Sequence, residues 1–172
     1  MCRIAGIISK RTQPDQLYSQ VKAMCDSMKH GGPDDEGIYM NNEDGICLGH
    51  RRLSILDLSL AGHQPMTAFN KKFYITYNGE IYNFKELRSE LMSLGYSFHS
   101  DTDTEVILIA YQHWNTKAFE RFMGMFAFAL IDYTIQKTYL VRDSQGIKPL
   151  YYVTTAADLI FASEVKAFSR SA

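Results

Sequence analysis

The sequence lacks the features that define several protein classes. No apolar run approaches the roughly 18 residues of a membrane span, and the N-terminus, MCRIAG, has no apolar signal-peptide core. The 18 basic and 19 acidic side chains nearly cancel, so no basic excess drives nucleic-acid binding. Glycine and proline number only 11 and 4, too few for a collagen-like or low-complexity chain. These absences favour a cytoplasmic globular protein with neither a membrane nor a nucleic acid as its partner.

Cysteine is scarce as well. The three cysteines, at positions 2, 25 and 47, are odd in number and have no metal-ligand spacing, which argues against a disulfide scaffold and a zinc site. Cys25 lies on an apolar helical face and Cys47 in a strand, so both are predicted to be core residues. The sequence contains no GxGxxG, GxxxxGK[ST], HExxH or CxxC motif, and its five histidines lack metal spacing. We therefore expect no metal or cofactor for this chain.

What is present is a set of short strands and amphipathic helices. A length of 172 residues predicts one domain, spanning 1–172. Three helices are predicted to begin near Pro14, Asn83 and Thr102, the last two with capping-box spacing. Strands are predicted at 3–9, 37–41, 46–50, 73–77, 125–133, 138–142, 150–153 and 159–162. Strands and helices are grouped rather than alternating, which favours an α+β fold with antiparallel sheets.

Cys2 is a candidate nucleophile because of its position. If Met1 is removed, Cys2 carries a thiol and a free α-amine, with reference pKa values of about 8.5 and 7.7–8.0. Moving the thiol proton to the amine then costs roughly 1 kcal/mol, so one residue supplies both nucleophile and base. The thiol and the amine are separated by only three bonds, so direct proton transfer between them would be strained. We therefore expect a bridging water to carry the proton.

Three other clusters each allow two interpretations. The pair Arg51-Arg52 is either a solvated face or a source of one guanidinium for a ligand carboxylate. The segment Asn78–Glu80 ends a predicted strand, either as a hairpin turn or as an oxyanion hole built from an amide and a glycine N–H. Of Asp101 and Asp103, one is explained by helix capping, and the other is a candidate acceptor for a substrate ammonium.

The joint pattern resembles one family over nearly the whole chain. The N-terminus MCRIAGI and the loop HGGPDDEG resemble class II glutamine amidotransferases, the N-terminal cysteine branch of the Ntn hydrolases. Other segments resemble the amidotransferase half of glutamine-dependent asparagine synthetases: LGHRRLSILDLSLAGHQPM, YNGEIYNF, SDTDTEVIL, GMFAFALID, VRDSQGIKPLYY and FASEVKAF. The resemblance implies a four-layer αββα sandwich of two mainly antiparallel sheets. It also implies hydrolysis of L-glutamine to glutamate and ammonia.

The resemblance assigns the chemistry to three residues. In the family, the mature N-terminal cysteine attacks the glutamine side-chain amide, releases ammonia and leaves a γ-glutamyl thioester that water cleaves. Cys2 occupies that position here. The side chain of Asn78 and the backbone N–H of Gly79 match the oxyanion hole.

The resemblance assigns substrate binding to four more residues. Arg52 matches the arginine that holds the glutamine α-carboxylate, which leaves its neighbour Arg51 as a bystander. Glu80 and Asp103 match residues at the substrate amino group, and backbone groups near Ile55 are expected to touch the substrate. The loop around position 31 and the segment 57–66 are expected to close over glutamine.

Two departures from the family pattern bear on partners. Gly31 stands where the family usually has an arginine, so this loop lacks a guanidinium for contacts with the site or with a second domain. Synthetases of the family also contain a larger domain, which uses ATP and Mg²⁺ to activate aspartate. No segment of this sequence resembles that domain. The expected partner is therefore a synthetase domain, in a longer chain or in a separate one, with a homodimer as a further expectation.

Two other functions stay open at this point. The ammonia acceptor is asparagine's precursor or, in a related synthetase, a sugar, a peptide or an antibiotic precursor. Alternatively, the chain is a non-catalytic glutamine-sensing module, which retention of Met1 favours because the base would then be an amide.

Overall fold

The structure is a computed structural model that describes residues 1–55 and 59–171. Within these residues the chain forms nine strands and three α-helices. The helices are α1 Pro14–Ser27, α2 Phe84–Ser93 and α3 Asp103–Trp114. The strands are β1 Arg3–Ser9, β2 Asp35–Asn41, β3 Ile46–Arg52, β4 Met66–Ala68, β5 Phe73–Ile81, β6 Gly124–Asp132, β7 Lys137–Arg142, β8 Tyr151–Thr154 and β9 Asp158–Ala162. The predicted elements therefore occur in the predicted order.

The strands form two sheets whose pairings are antiparallel. One sheet has the order β2-β3-β1-β9-β8 and the other the order β4-β5-β6-β7. The inner faces of the two sheets meet in a cluster that includes Ile4, Leu48, Tyr74 and Ile131. Helix α1 covers the outer face of the first sheet, while α2 and α3 cover that of the second. The predicted α+β fold, a four-layer αββα sandwich, is confirmed.

Strand β5 is longer than the sequence predicts. We expected Asn78-Gly79 to end the strand in a turn, and this expectation is wrong, because both residues lie within β5 and pair with Ala127 and Phe126. A Cβ on Gly79 would meet the backbone of Met125 and Phe126, so glycine is required by the close approach of β6. The chain turns instead after Ile81.

The helix starts agree only in part with the predicted caps. Asn83 precedes α2 but makes no capping bond; its amide instead binds the backbone of Arg121 and Met123, each at 3.0 Å. Thr102 caps α3 as predicted, because its Oγ1 accepts from the Glu105 N–H at 3.2 Å. Neither neighbouring aspartate is the capping residue, and Asp103 is the first residue of the helix.

Cys25 and Cys47 are fully buried free thiols, as predicted. Burial raises the pKa of each thiol to about 12, which makes both of them unreactive near neutral pH. Within residues 1–55 and 59–171, no helix is long and apolar enough to cross a bilayer.

Arg51 is a buried ion-pair centre, so the solvated face that the sequence allowed for the arginine pair does not occur at this residue. Its expected role as a bystander to the substrate stays a prediction. Its side chain is only 7% exposed and reaches carboxylates of Asp26, at the end of α1, and Glu36, in β2. The Nε also donates to the carbonyl of Cys25 at 3.2 Å. Because β3 alternates its faces, Arg51 points to the α1 side of the sheet, while Arg52 points the other way.

We predict that Arg51→Ala lowers the free energy of unfolding by about 1–3 kcal/mol, because Asp26, Glu36 and the Cys25 carbonyl all lose the buried guanidinium that binds them together. Lys22→Ala is the matched control, since Lys22 binds the same two carboxylates but its side chain is 39% exposed. This substitution is expected to lower the free energy of unfolding by less than about 0.5 kcal/mol. Urea unfolding of both variants measures the difference. Equal losses would contradict a structural role for Arg51.

Candidate active site

The candidate site lies at one end of the layer between the sheets. Side chains of a strand alternate between its faces, so Arg52 shares the inner face of β3 with Leu48, and Asn78 shares that of β5 with Tyr74. Cys2 lies one residue before β1. Because it is two residues from Ile4, its side chain points to the same inner side of the sheet as that of Ile4. Three predicted functional side chains are thereby directed to the same inter-sheet space.

A cavity of about 100 Å³ occupies this place. All seven residues to which the family resemblance assigns a role line it: Cys2, Arg52, Ile55, Asn78, Gly79, Glu80 and Asp103. Their other neighbours on the cavity wall are Met1, Leu53, Gly62, Gln64, Tyr77, Thr102, Thr104, Met125 and Lys148. The structure thus brings the predicted residues together, whereas the roles assigned to them stay predictions.

The Cys2 thiol is held at the end of β3. Its Sγ accepts a hydrogen bond from the Leu53 N–H at 3.3 Å and lies 3.6 Å from the Leu53 carbonyl oxygen, to which it can donate. Burial raises the pKa of the thiol; the Leu53 backbone, the terminal ammonium and Arg52 act in the opposite direction. In the chain that carries Met1, Cys2 is therefore a thiol that needs a base before it can attack.

Asn78 presents an unpaired amide to the cavity. The residue is 1% exposed, and neither Nδ2 nor Oδ1 has a hydrogen-bond partner among the described residues. A buried amide without partners is costly, and its NH₂ group is a donor suited to an oxyanion. Gly79 follows it on the cavity wall.

The acidic side of the cavity is formed by Asp103 and Glu80. Asp103 is 4% exposed, and its Oδ2 accepts from the Tyr77 hydroxyl at 2.6 Å and from the Ile81 N–H at 3.0 Å. Burial raises the pKa of Asp103, and these hydrogen bonds oppose the rise. Two carboxyl groups on one wall suit a ligand ammonium.

Arg52 and Ile55 lie on the cavity wall beside the end of β3. Arg52 is 6% exposed, and its Nη1 donates to the Ser59 carbonyl at 3.0 Å. Ile55 is 68% exposed, as suits a residue at the rim. In the predicted closing segment 57–66, residues 57 and 58 lie outside the described part, whereas Gly62 and Gln64 line the cavity. Closure over a ligand stays a prediction.

The loop at Gly31 contacts the N-terminus through Arg3. A Cβ on Gly31 would lie 2.7 Å from the Arg3 side chain, so the guanidinium of Arg3 fills the space beside this glycine. Arg3 donates to the carbonyls of Met1 and Cys2, at 2.8 and 3.0 Å, and pairs with Glu164 at 2.5 Å. The segment that carries Cys2 is thereby tied to the end of the first sheet.

Sequence reasoning missed Gln64, Tyr77 and Lys148. Gln64 accepts from the Tyr77 N–H at 2.7 Å and so supports the strand that carries Asn78. Lys148 is fully buried, although it follows a turn in which a lysine is usually exposed. No local signal in the sequence marks it. Among the described residues, no cluster of three potential metal ligands occurs.

The sequence matches proteins of one functional family. The profile of the "Glutamine amidotransferase domain" family matches residues 1–172. Asparagine synthetase [glutamine-hydrolyzing] 1 of Bacillus subtilis is 40% identical over 168 residues, covering 96% of this chain and 26% of the relative. Asparagine synthetase B of Escherichia coli is 40% identical over 169 residues, covering 97% and 30%. The chain thus spans about a quarter to a third of these relatives.

Solved structures are similar in fold at lower sequence identity. The glutamine phosphoribosylpyrophosphate amidotransferase of B. subtilis, complexed with ADP and GMP, has a TM-score of 0.79 at 18% identity and covers 99% of this chain and 43% of its own. An allosteric regulatory enzyme of purine biosynthesis has a TM-score of 0.76 at 19% identity. With the profile match and the cavity, these likenesses place the fold among the Ntn hydrolases, and the chain belongs to the glutamine amidotransferase domain family.

Proposed function

We propose that this chain hydrolyses L-glutamine to L-glutamate and ammonia, with Cys2 as the nucleophile. The observation that carries the proposal is the buried, unpaired amide of Asn78 on the wall of the cavity that holds Cys2. A donor kept without a partner in a protein interior is matched to a ligand atom that carries negative charge. The family membership supplies the amide substrate.

The charges around the cavity suit the two ends of an amino acid. The Arg52 guanidinium binds the α-carboxylate, and the carboxylates of Glu80 and Asp103 bind the α-ammonium. Backbone groups near Ile55 contact the substrate at the rim. Held in this way, the side-chain amide of glutamine points toward Cys2, so binding converts the attack into an intramolecular step.

The first half of the reaction forms a thioester. The Cys2 Sγ attacks the amide carbon, and its proton passes to the α-amine of Cys2 through a bridging water. The oxyanion accepts hydrogen bonds from Asn78 Nδ2 and the Gly79 N–H. Collapse of this intermediate breaks the C–N bond, and the α-ammonium returns a proton to the departing ammonia.

The second half repeats the chemistry with water. The α-amine takes a proton from a water molecule, and the oxygen of that water attacks the thioester carbonyl. Asn78 Nδ2 and the Gly79 N–H again bind the oxyanion. Cleavage of the C–S bond returns the proton to Cys2 and releases glutamate. One base therefore serves both halves, as nucleophilic catalysis with an N-terminal residue requires.

The α-amine is available only after Met1 is removed, because in the longer chain the nitrogen of Cys2 is an amide. We predict that the form retaining Met1 is inactive and that aminopeptidase trimming produces glutaminase activity. Intact mass identifies the form, and glutamate release from glutamine measures turnover. Cys2→Ala is the control, expected to fold and to be inactive in both forms.

Full turnover by the form that retains Met1 would refute the role of the amine, and turnover by Cys2→Ala would refute the nucleophile. Glutamine binding by the trimmed chain without hydrolysis would favour the alternative of a glutamine-sensing module. Calorimetry with glutamine separates that outcome from a site that does not bind at all.

Asn78→Ala is predicted to lower kcat by about 10²–10³-fold with little change in KM, because the oxyanion exists only during the reaction. Asn78→Asp tests the donor itself, since it keeps the shape but replaces the NH₂ group with an oxygen. Asn42→Ala, at an exposed position, is the control for the loss of an amide elsewhere.

Arg52→Ala gives the contrasting pattern in the same assay. It is expected to raise KM by about tenfold to a hundredfold, because the α-carboxylate does not change during the reaction. If Asn78→Ala altered KM alone, the assignment of the oxyanion hole would be wrong.

We further propose that the ammonia serves ATP-dependent synthesis of asparagine by a synthetase domain, which would hold ATP and Mg²⁺. The support is the identity of about 40% with asparagine synthetases of which the chain spans about a quarter. The homodimer and the cytoplasmic location inferred from the sequence also stay predictions.

The pairing is tested by nitrogen transfer. With the synthetase domain, in one chain or as a separate one, ¹⁵N from the side chain of glutamine is expected to appear in asparagine when ATP and aspartate are supplied. Cys2→Ala is expected to abolish this transfer but to leave synthesis from free ammonia. Label in another acceptor would assign the chain to a related synthetase.

A further inference from the structure

Lys148 is a buried lysine on the wall of the cavity that holds Cys2. Its backbone is fixed on both sides, because its N–H donates to Asp143 at 3.0 Å and its carbonyl accepts from Arg142 at 2.7 Å. Asp143 is itself occupied by backbone donors, among them the N–H groups of Phe126 and Ile147. The main chain around Lys148 is therefore held in place independently of its ammonium.

The ammonium of Lys148 has no carboxylate partner among the described residues. The partner of Nζ is the thioether sulfur of Met1, a weak acceptor. A buried cation without an anion is expensive, and a structural role alone would favour an apolar residue here. Removal of Met1, which the proposed reaction requires, takes this acceptor away and leaves the ammonium facing the cavity.

The charges around Cys2 come from several elements. The groups on or beside the cavity are Arg3 of β1, Arg52 of β3, Tyr77 and Glu80 of β5, Asp103 of α3, Lys148 of the loop after β7, and the terminal amine. Burial lowers the pKa of Lys148, whereas the charges of Asp143, Glu80 and the anionic form of Cys2 favour its protonated form.

We propose that Lys148 is a positioning residue of the glutaminase site, whose ammonium favours the thiolate form of Cys2 once Met1 has been removed. The proposal rests on the proposed function. In the step concerned, the proton of Cys2 Sγ moves to the α-amine, and Lys148 keeps its own three protons. The sulfur anion that forms is buried, and a nearby cation offsets the cost of its burial.

The test is the pH dependence of Cys2 alkylation by iodoacetamide in the trimmed chain without glutamine. Lys148→Met is expected to raise the apparent pKa of Cys2 by about one unit and to slow alkylation at pH 7 by about threefold to tenfold. Lys148→Arg retains the charge and is expected to restore most of the rate. Lys117→Met, at an exposed position, is the matched control.

Each outcome decides the proposal. Melting curves accompany the alkylation, and Lys148→Met is expected to be at least as stable as the wild type, because it removes a buried charge. Lys148→Gln serves as a second neutral variant. An apparent pKa of Cys2 that is unchanged in these neutral variants would overturn the proposal. Failure of both neutral variants to fold would also overturn it, since Lys148 would then be a structural residue.

The alkylation also separates this proposal from the proposed function. It needs no turnover, so a chain that does not hydrolyse glutamine can still show the shift between wild type and Lys148→Met. In an active chain, the acidic limb of kcat/KM is expected to move to higher pH in Lys148→Met. A loss of activity without a shift in either profile would assign Lys148 to substrate binding instead.

Discussion

The burial of the Asn78 amide, which has no hydrogen-bond partner within residues 1–55 and 59–171, is the constraint on which the site depends. An unsatisfied buried polar group costs about 1–3 kcal/mol, so the surrounding structure must hold the strand in place against that cost. Three contacts of its neighbours do so. Thr76 Oγ1 donates to a carbonyl of β3 at 3.0 Å, the Tyr77 carbonyl lies 3.0 Å from His50 Nε2, and the Tyr77 N–H binds Gln64. The first two contacts tie the two sheets together directly beside the cavity.

The alternation of side chains along the strands decides which residues reach this cavity. Cys2, Arg52 and Asn78 share the inner side of the sandwich, so a shift of any strand by one residue would move its functional side chain to the helix-covered face. Arg51 illustrates the difference, because the neighbouring Arg52 lines the cavity whereas Arg51, one step back along β3, is an ion-pair centre against α1. The close approach of β6 at Gly79 helps to fix the register that the site needs.

Most of the fold was predictable, because strands such as Arg3–Ser9 and helices such as α1 carry strong apolar patterns. The errors arose where local signals competed with distant contacts. Asn78-Gly79 is a turn signal in isolation, but pairing with β6 keeps it in a strand. The burial of Lys148 involves Met1, which is 147 residues away, and no local pattern contains that contact. The residues of the site could be named from the family resemblance, whereas their convergence on one cavity required the structure.

Met1 connects the chemistry of Cys2 with the electrostatics of the cavity. Burial raises the pKa of both the Cys2 thiol and the Asp103 carboxyl, so the closed interior by itself favours the neutral form of each group. Hydrogen bonds from Tyr77 and Ile81 lower the pKa of Asp103 and so favour its anionic form. These bonds are present in the chain that retains Met1. In the chain that retains Met1, the nitrogen of Cys2 is an amide and cannot act as a base, and the Lys148 ammonium is in contact with the Met1 sulfur. In the proposed reaction, removal of Met1 therefore supplies the base and uncovers the cation in the same event.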